Sequence, residues 1–281
     1  MIVEAARAKV NLALHVLGRR ADGYHDLDSI VVFADVADRL TVTPAEEWSL
    51  AIAGPFAADL GTGADNLVLR AAKALEQLLR GRIRPARLKL DKNLPVASGI
   101  GGGSADAAAA IRGLLALSRI AQESVDLGPL AVALGSDVPV CLYGKTCRMT
   151  GIGERIEPMT GMPRLPALLV NPGVPVSTAE VFRRLALAPG QAGFGAIPPR
   201  QDDVLAWLAA CRNDLQPAAV TLVPAVGAVL DQLAGSSGCR LARMTGSGAT
   251  CFGLFEGTEA AEAAAQRLRA QGWWAAPTLL G

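Results

Sequence analysis

Hydrophobic and polar positions change their spacing several times along the chain, and each change marks a predicted element. Residues 5–16 alternate, with Val10, Leu12, Leu14 and Val16 on one side and Lys9, Asn11 and His15 on the other, which is the two-residue period of a strand. A polar turn from Arg19 to His25, with Gly23 inside it, leads to an apolar strand at Ser29–Phe33. Residues 36–53 read as two further strands marked by Leu40, Val42, Leu50 and Ile52. After a Gly/Pro-containing loop, Asp65 is placed to cap a helix over 66–80, whose apolar stripe is Leu67, Ala71, Leu75, Leu78 and Leu79. Leu88–Asp91 is a short strand feeding Pro95-Val-Ala-Ser-Gly-Ile-Gly-Gly-Gly-Ser104, and the alanine-rich run behind that stretch predicts a helix ending near Leu117.

Downstream, 124–134 reads as a helix, Asp137 as a turn residue directly ahead of a strand, and 144–157 as a hairpin. The prolines of 158–166 suggest a boundary, dividing the chain into domains 1–160 and 161–281. A strand at 167–171 precedes a helix that starts near Ser177 or Thr178 and turns Phe182 inward or toward a cleft. Helices are predicted over 202–210 and 216–234, strands over 240–244 and 250–255, and a helix over 259–271 before an apolar tail with Trp273 and Trp274. That order suits an α+β layer with helices on one face of an antiparallel sheet.

The glycine-rich stretch is the first candidate for chemistry. Gly99, Gly101, Gly102 and Gly103 let backbone approach a ligand closely, and a helix start behind them presents unpaired N–H groups with partial positive charge. It reads either as a phosphate cradle or as a tight turn without a ligand. No lysine follows the glycines, which excludes a Walker A loop, and Ser104 stands where a dinucleotide fingerprint needs its third glycine. Three other stretches leave two readings each. Lys9 is a solvated strand residue or a group that meets a phosphate or activates a hydroxyl; Asp137 is a turn former or a base or metal ligand; Thr245-Gly-Ser-Gly248 packs on the first glycine loop or is a hairpin turn.

Composition narrows the choice. With 281 residues, 51% of them hydrophobic and only 4% aromatic, the chain can bury a large core of small side chains. The net charge of +1, from 27 basic and 26 acidic residues, predicts no nucleic-acid or anionic-membrane partner. Cys141, Cys147, Cys211, Cys239 and Cys251 are widely spaced and have only His15 and His25 to join them, so reduced thiols in a cytoplasmic protein are expected rather than a structural zinc. The first residues lack a signal peptide's basic region and long apolar core.

Pro95-x-x-x-Gly99-Ile-Gly-Gly-Gly-Ser104 resembles the phosphate-binding motif of the GHMP kinases, the family that includes galactokinase, homoserine kinase and mevalonate kinase. Three more stretches resemble the members whose alcohol substrate carries a cytidine diphosphate group: Ala8-Lys9-Val-Asn11-Leu with Gly18-Arg-Arg-Ala-Asp-Gly-Tyr24-His25, Gly135-Ser-Asp137-Val-Pro139, and Thr245-Gly-Ser-Gly-Ala-Thr-Cys-Phe252. They run in family order from residue 8 to past 250. Departures are mild: Ser98 replaces a small Ala or Gly, Ile100 the usual Leu, and Ala105 a second Ser.

The resemblance implies a two-domain α+β GHMP kinase fold, with an N-terminal domain like domain 2 of ribosomal protein S5, a C-terminal ferredoxin-like α/β sandwich, and the active site in the cleft between them. It implies ATP-dependent phosphorylation of the 2-hydroxyl of 4-diphosphocytidyl-2-C-methyl-D-erythritol in non-mevalonate isoprenoid synthesis, by a cytoplasmic monomer or weak homodimer. By that resemblance Asp137 is the general base and Lys9 lies between the hydroxyl and the phosphoryl group. Pro95, Val96, Ala97, Ser98, Gly99, Ile100, Gly101, Gly102, Gly103, Ser104 and Ala105 would hold ATP with Asn66, and Mg²⁺ would arrive with ATP near Ser104. Asn11, Tyr24, His25, Thr178 and Phe182 would surround the cytidine diphosphate end, Tyr24 and Phe182 sandwiching the cytosine and His25 bonding its edge. Gly246 and Gly248 would brace the phosphate loop on the substrate side. Another GHMP alcohol kinase, or a nucleotide-binding protein of the same fold without chemistry, is the alternative.

Overall fold

Two long strands open the chain in the computed structural model, which describes residues 1–281. They are β1 (Ile2–Arg19) and β2 (His25–Pro44), paired with each other and joined by a turn in which Gly23 takes a φ of 91°. The alternation of β1 is real, yet both of its faces are buried, Lys9, Asn11 and His15 as fully as Val10, Leu12 and Leu14. The expected break near residue 35 is absent. Asp35 and Val36 stay extended because both their N–H groups donate to Thr278 Oγ1.

The chain forms two compact units that interleave along the sequence. The first comprises 1–8, 37–96 and 101–144. In it β3 (Ser49–Ala53) pairs parallel with β4 (Ala86–Asp91), and β4 pairs antiparallel with residues 39–44 of β2. Helix α1 (Leu67–Leu79) packs against α2 (Gly102–Leu117), burying Val68, Ala72 and Leu75 of one and the alanines 107–110 of the other. The cap of α1 is Asn66, whose Oδ1 accepts from Val68 N at 2.9 Å, and not Asp65. Helix α3 (Gly128–Leu134) is shorter than expected, and the stretch after Asp137 is a helix, α4 (Val138–Tyr143), instead of a strand. Pro139 in its first turn has no N–H to waste, and Gly144, at φ 64°, closes it.

The second unit comprises 9–36, 97–100 and 145–281. Residues 27–31 of β2 pair with β5 (Cys147–Gly151), which pairs with β6 (Arg155–Pro158). The stretch 158–166 then leads within this unit to an antiparallel sheet ordered β10–β7–β9–β8, made of β7 (Leu165–Asn171), β8 (Cys239–Met244), β9 (Cys251–Phe255) and β10 (Trp274–Leu280). The apolar tail expected after the last helix is therefore β10, paired along its length with β7. Its helices are α5 (Thr178–Arg184), α6 (Val204–Ala210), α7 (Gln216–Leu222), α8 (Pro224–Ala234) and α9 (Thr258–Arg269). The single helix expected over 216–234 is two, bent by 119° where Pro224 removes a helical N–H. Helices α8 and α9 pack on the sheet and bury Val226, Val229, Leu233, Ala265 and Leu268 with Leu168, Val170 and Phe255. No single helix is long and apolar enough to cross a membrane.

Candidate active site

Helix α2 begins in the first unit with an open N-terminus. Its first intrahelical bond runs from Ala105 N to Gly101 O at 2.8 Å, so the N–H groups of Gly102, Gly103 and Ser104 precede the ladder. Gly101 caps the helix in a left-handed conformation, no side chain occupies the cap, and no acidic residue lies in the first turn. Gly103 is exposed, and a Cβ built on it would meet nothing within 4 Å. An incoming phosphate would thus find donors and positive potential without a competing carboxylate or a methyl group in its path.

Beneath that helix start sits a cluster absent from the motif reading. Lys92 Nζ donates to Asp38 Oδ2 at 2.5 Å and to Asp106 Oδ2 at 2.7 Å, with all three residues buried. Burial works against the Lys92 charge, but the carboxylates of Asp106 and Asp38 outweigh it and hold the ammonium above its ordinary range. Burial raises the Asp106 carboxyl to about 7, opposed by Lys92 and reinforced by repulsion from Asp38.

In the second unit, Lys9 is only 3% exposed, which excludes the solvated reading of this residue. Its backbone N donates to Ile100 O at 2.9 Å and its Nζ to Asn11 Oδ1 at 3.0 Å. Asn11 is itself held by Ser29, to whose Oγ it donates through Nδ2 at 2.7 Å, and by Thr245, whose Oγ1 accepts from Asn11 N at 2.8 Å. The amide is oriented by this chain of bonds, and it orients Lys9 in turn.

The two glycine loops meet in this unit. Thr250 N donates to Ser98 O at 3.1 Å, and Gly99, at φ 78°, lies so close that a Cβ there would stand 2.6 Å from Gly248 O. A Cβ on Gly246 would be 2.5 Å from Gly99 O. The packing alternative for Thr245–Gly248 is therefore the observed one, and Gly246 and Gly248 act through backbone contact.

At the candidate base-binding end, the rings of His25 and Phe182 stack with centroids 4.8 Å apart and planes at 30°. His25 Nε2 is buried and has no protein partner. Burial, helped by the nearby Arg19 charge, keeps the imidazole below its ordinary pKa and so neutral. Tyr24, expected to face Phe182 across the cytosine, is 61% exposed, and the ring stacked on Phe182 is that of His25. Thr178 Oγ1 lies 2.7 Å from Ser247 Oγ at the start of α5.

The other expected residues are placed as follows. Asp137 stands at the N-cap position of α4, half-buried, and its side chain does not cap that helix. Both ends of the Asn66 amide are engaged, Oδ1 by Val68 N and Nδ2 by Gly61 O at 2.7 Å. No group of three or more His, Cys, Asp or Glu side chains is arranged to hold a metal ion. All five cysteines are free thiols, and His15 is a buried acceptor for Arg212 N at 3.0 Å. Sequence reading misses Asp38, Lys92 and Asp106, and names Thr245 only as part of the second glycine loop, without its bond to Asn11 N. Asp106 carries a signal, being a lone acid in a run of alanines that reads as buried.

Two family descriptions match the chain: GHMP kinases N terminal domain over residues 66–145 and GHMP kinases C terminal over residues 178–272. A 4-diphosphocytidyl-2-C-methyl-D-erythritol kinase of Parvibaculum lavamentivorans is 54% identical over 97% of this chain and 96% of its own length. The enzyme of that name from Methylorubrum extorquens is 50% identical over 100% and 99% of the two chains. A solved 4-(cytidine 5'-diphospho)-2C-methyl-D-erythritol kinase matches with a TM-score of 0.83 at 36% identity, covering 100% of this chain and 99% of the other. Homoserine kinase from Cytophaga hutchinsonii, at 15% identity and a TM-score of 0.65 over 99% and 93% of the chains, shares the fold. The chain belongs to the GHMP kinases, in the family of 4-diphosphocytidyl-2-C-methyl-D-erythritol kinases.

Proposed function

We propose that this kinase transfers the γ-phosphoryl group of ATP to the 2-hydroxyl of 4-diphosphocytidyl-2-C-methyl-D-erythritol, giving the 2-phosphate and ADP in the non-mevalonate route to isoprenoids, in the cytoplasm. The observation that carries this substrate is the His25–Phe182 stack with its unpartnered, buried Nε2, set in a chain whose relatives bear that name. A planar base fits against such a ring pair, and a neutral imidazole nitrogen supplies a hydrogen bond to its edge. Thr178, Asn11 and the exposed Tyr24 complete this end of the substrate site.

Phosphoryl transfer asks the protein for positioning and charge neutralisation more than for covalent help. The N–H groups of Gly102, Gly103 and Ser104 hold the ATP phosphates, and Asn66, its amide fixed by Val68 N and Gly61 O, lines the adenosine end. Ser104, at the helix start, would lie beside Mg²⁺ arriving with ATP, which would supply further charge neutralisation when bound. Asp137 takes the proton of the 2-hydroxyl as its oxygen bonds to the γ-phosphorus and the bond to the β-phosphate oxygen breaks. Lys9, oriented by Asn11, stabilises the negative charge that develops on the transferred group.

Steady-state kinetics with ATP, Mg²⁺ and this substrate, run in parallel with homoserine and mevalonate, test the reading. Asp137→Ala is expected to lower kcat by roughly 10²- to 10⁴-fold with little change in KM. Phe182→Ala is expected to raise the KM for the cytidine substrate chiefly. Turnover of another alcohol in preference, or an Asp137→Ala variant with full kcat, overturns it.

A further inference from the structure

Lys92 is the point where the strand leading into the phosphate loop and the helix leaving it are tied together. Its ammonium bonds the carboxylates of Asp38 on β2 and Asp106 on α2. Asp38 also grips the entry to the loop, because its Oδ1 accepts from the backbone N of Asn93 at 2.5 Å and of Leu94 at 2.8 Å, the two residues directly before Pro95. Asp106 lies one turn after Gly102, on the same helix face, and a Cβ on Gly102 would stand 3.2 Å from Lys92 Nζ. The Lys92 backbone is fastened too, its N donating to Ala53 O at 2.7 Å and its O accepting from Phe56 N at 3.3 Å.

Stability does not by itself account for this arrangement. A buried ionic cluster carries a desolvation penalty comparable to its attraction, and well-packed apolar groups of the same volume commonly stabilise as well or better. Directional bonds give what apolar packing does not, a fixed position for each bonded atom, and phosphate-binding amides must be held to within fractions of an ångström.

We propose that Lys92, Asp38 and Asp106 are positioning residues that set the first turn of α2, and with it the amides of Gly102, Gly103 and Ser104, for ATP phosphates. The three act through the loop and not on a reacting atom. The inference rests on the kinase reading above, and turnover by the unaltered enzyme tests that reading separately.

The test compares the intact enzyme with Asp106→Asn, Lys92→Met and the double variant Lys92→Met/Asp106→Leu, measuring thermal midpoint, both KM values and kcat for each. Lys92→Met strands two carboxylates and is expected to melt earlier. The double variant removes one carboxylate as well as the lysine and is expected to recover much of that midpoint. If the cluster positions the loop, the double variant keeps a KM for ATP raised roughly tenfold while the KM for the cytidine substrate stays within about twofold. Asp106→Asn, which retains the shape and one Lys92 bond, is expected to lie between the intact enzyme and the double variant in KM for ATP. Recovery of the KM for ATP together with the midpoint in the double variant overturns the proposal, as does an equal rise in both KM values. Should Lys92→Met fail to fold, Asp106→Asn decides alone: an unchanged KM for ATP in a stably folded variant counts against positioning.

Discussion

In the Ala97–Ile100 half of the glycine-rich stretch, Gly99 is wedged against the backbone of Gly248 and Thr245, whereas in the Gly101–Ser104 half Gly103 faces open space. The first absence of a Cβ lets two chain segments touch. The second keeps clear the approach to a helix N-terminus. Gly102 stands between these cases, since the nearest group on its Cβ side is the Lys92 ammonium rather than backbone. A run of glycines in a phosphate loop is thus not one device: packing selects some of its members and the ligand selects others.

Substitution by alanine separates the two. The largest effect is expected at Gly99, where a Cβ would lie 2.6 Å from Gly248 O and 2.9 Å from Thr245 O at a φ of 78°. Overpacking against backbone together with left-handed strain should cost about 3 kcal/mol, seen as a fall in the midpoint of chemical denaturation. An unchanged midpoint would erase the contrast. At Gly102 the crowding of Lys92 is offset by the better helix propensity of alanine, so stability should move by no more than about 1 kcal/mol. Its KM for ATP should nevertheless rise, because the displaced ammonium anchors the helix start. The smallest structural effect belongs to Gly103→Ala, with stability unchanged or raised by about 0.5 kcal/mol. If that variant also binds ATP normally, the phosphates do not come near this residue and the second half of the contrast needs revision.

Lys9 and Lys92 show a related division. Both are strand-associated lysines buried to 3% exposure or less. Lys9 is oriented by a neutral amide, held in turn by Ser29 and Thr245, while Lys92 is gripped by two carboxylates. The motifs identify only the first. Lys92 lies within a few residues of the phosphate loop, but its partners are 54 and 14 positions away, and nothing local distinguishes a paired lysine from a solvated one.

Several elements depart from the sequence expectation for identifiable physical reasons. Val138–Tyr143 is a short apolar run with β-branched residues, for which spacing does not separate strand from buried helix; Pro139 and Gly144 settle it in favour of α4. The tail around Trp274 does not read as a strand because Pro277 argues against an interior position, yet β10 lies between β2 and β7. Asp65 and Asn66 are both good caps, and only the φ, ψ and bonding of Asn66 identify which one is used.

The sequence by itself determined the family, the glycine loop with its helix, and the residue types the chemistry needs, because these reside in contiguous motifs whose order and spacing survive without coordinates. Tertiary structure alone decided that β1 is buried on both faces, that His25 stacks on Phe182, that Gly246 and Gly248 touch Gly99, and that Lys92 joins Asp38 to Asp106. Those facts depend on which distant segments share a low-dielectric interior, where a polar group must find its partner wherever the chain has brought one.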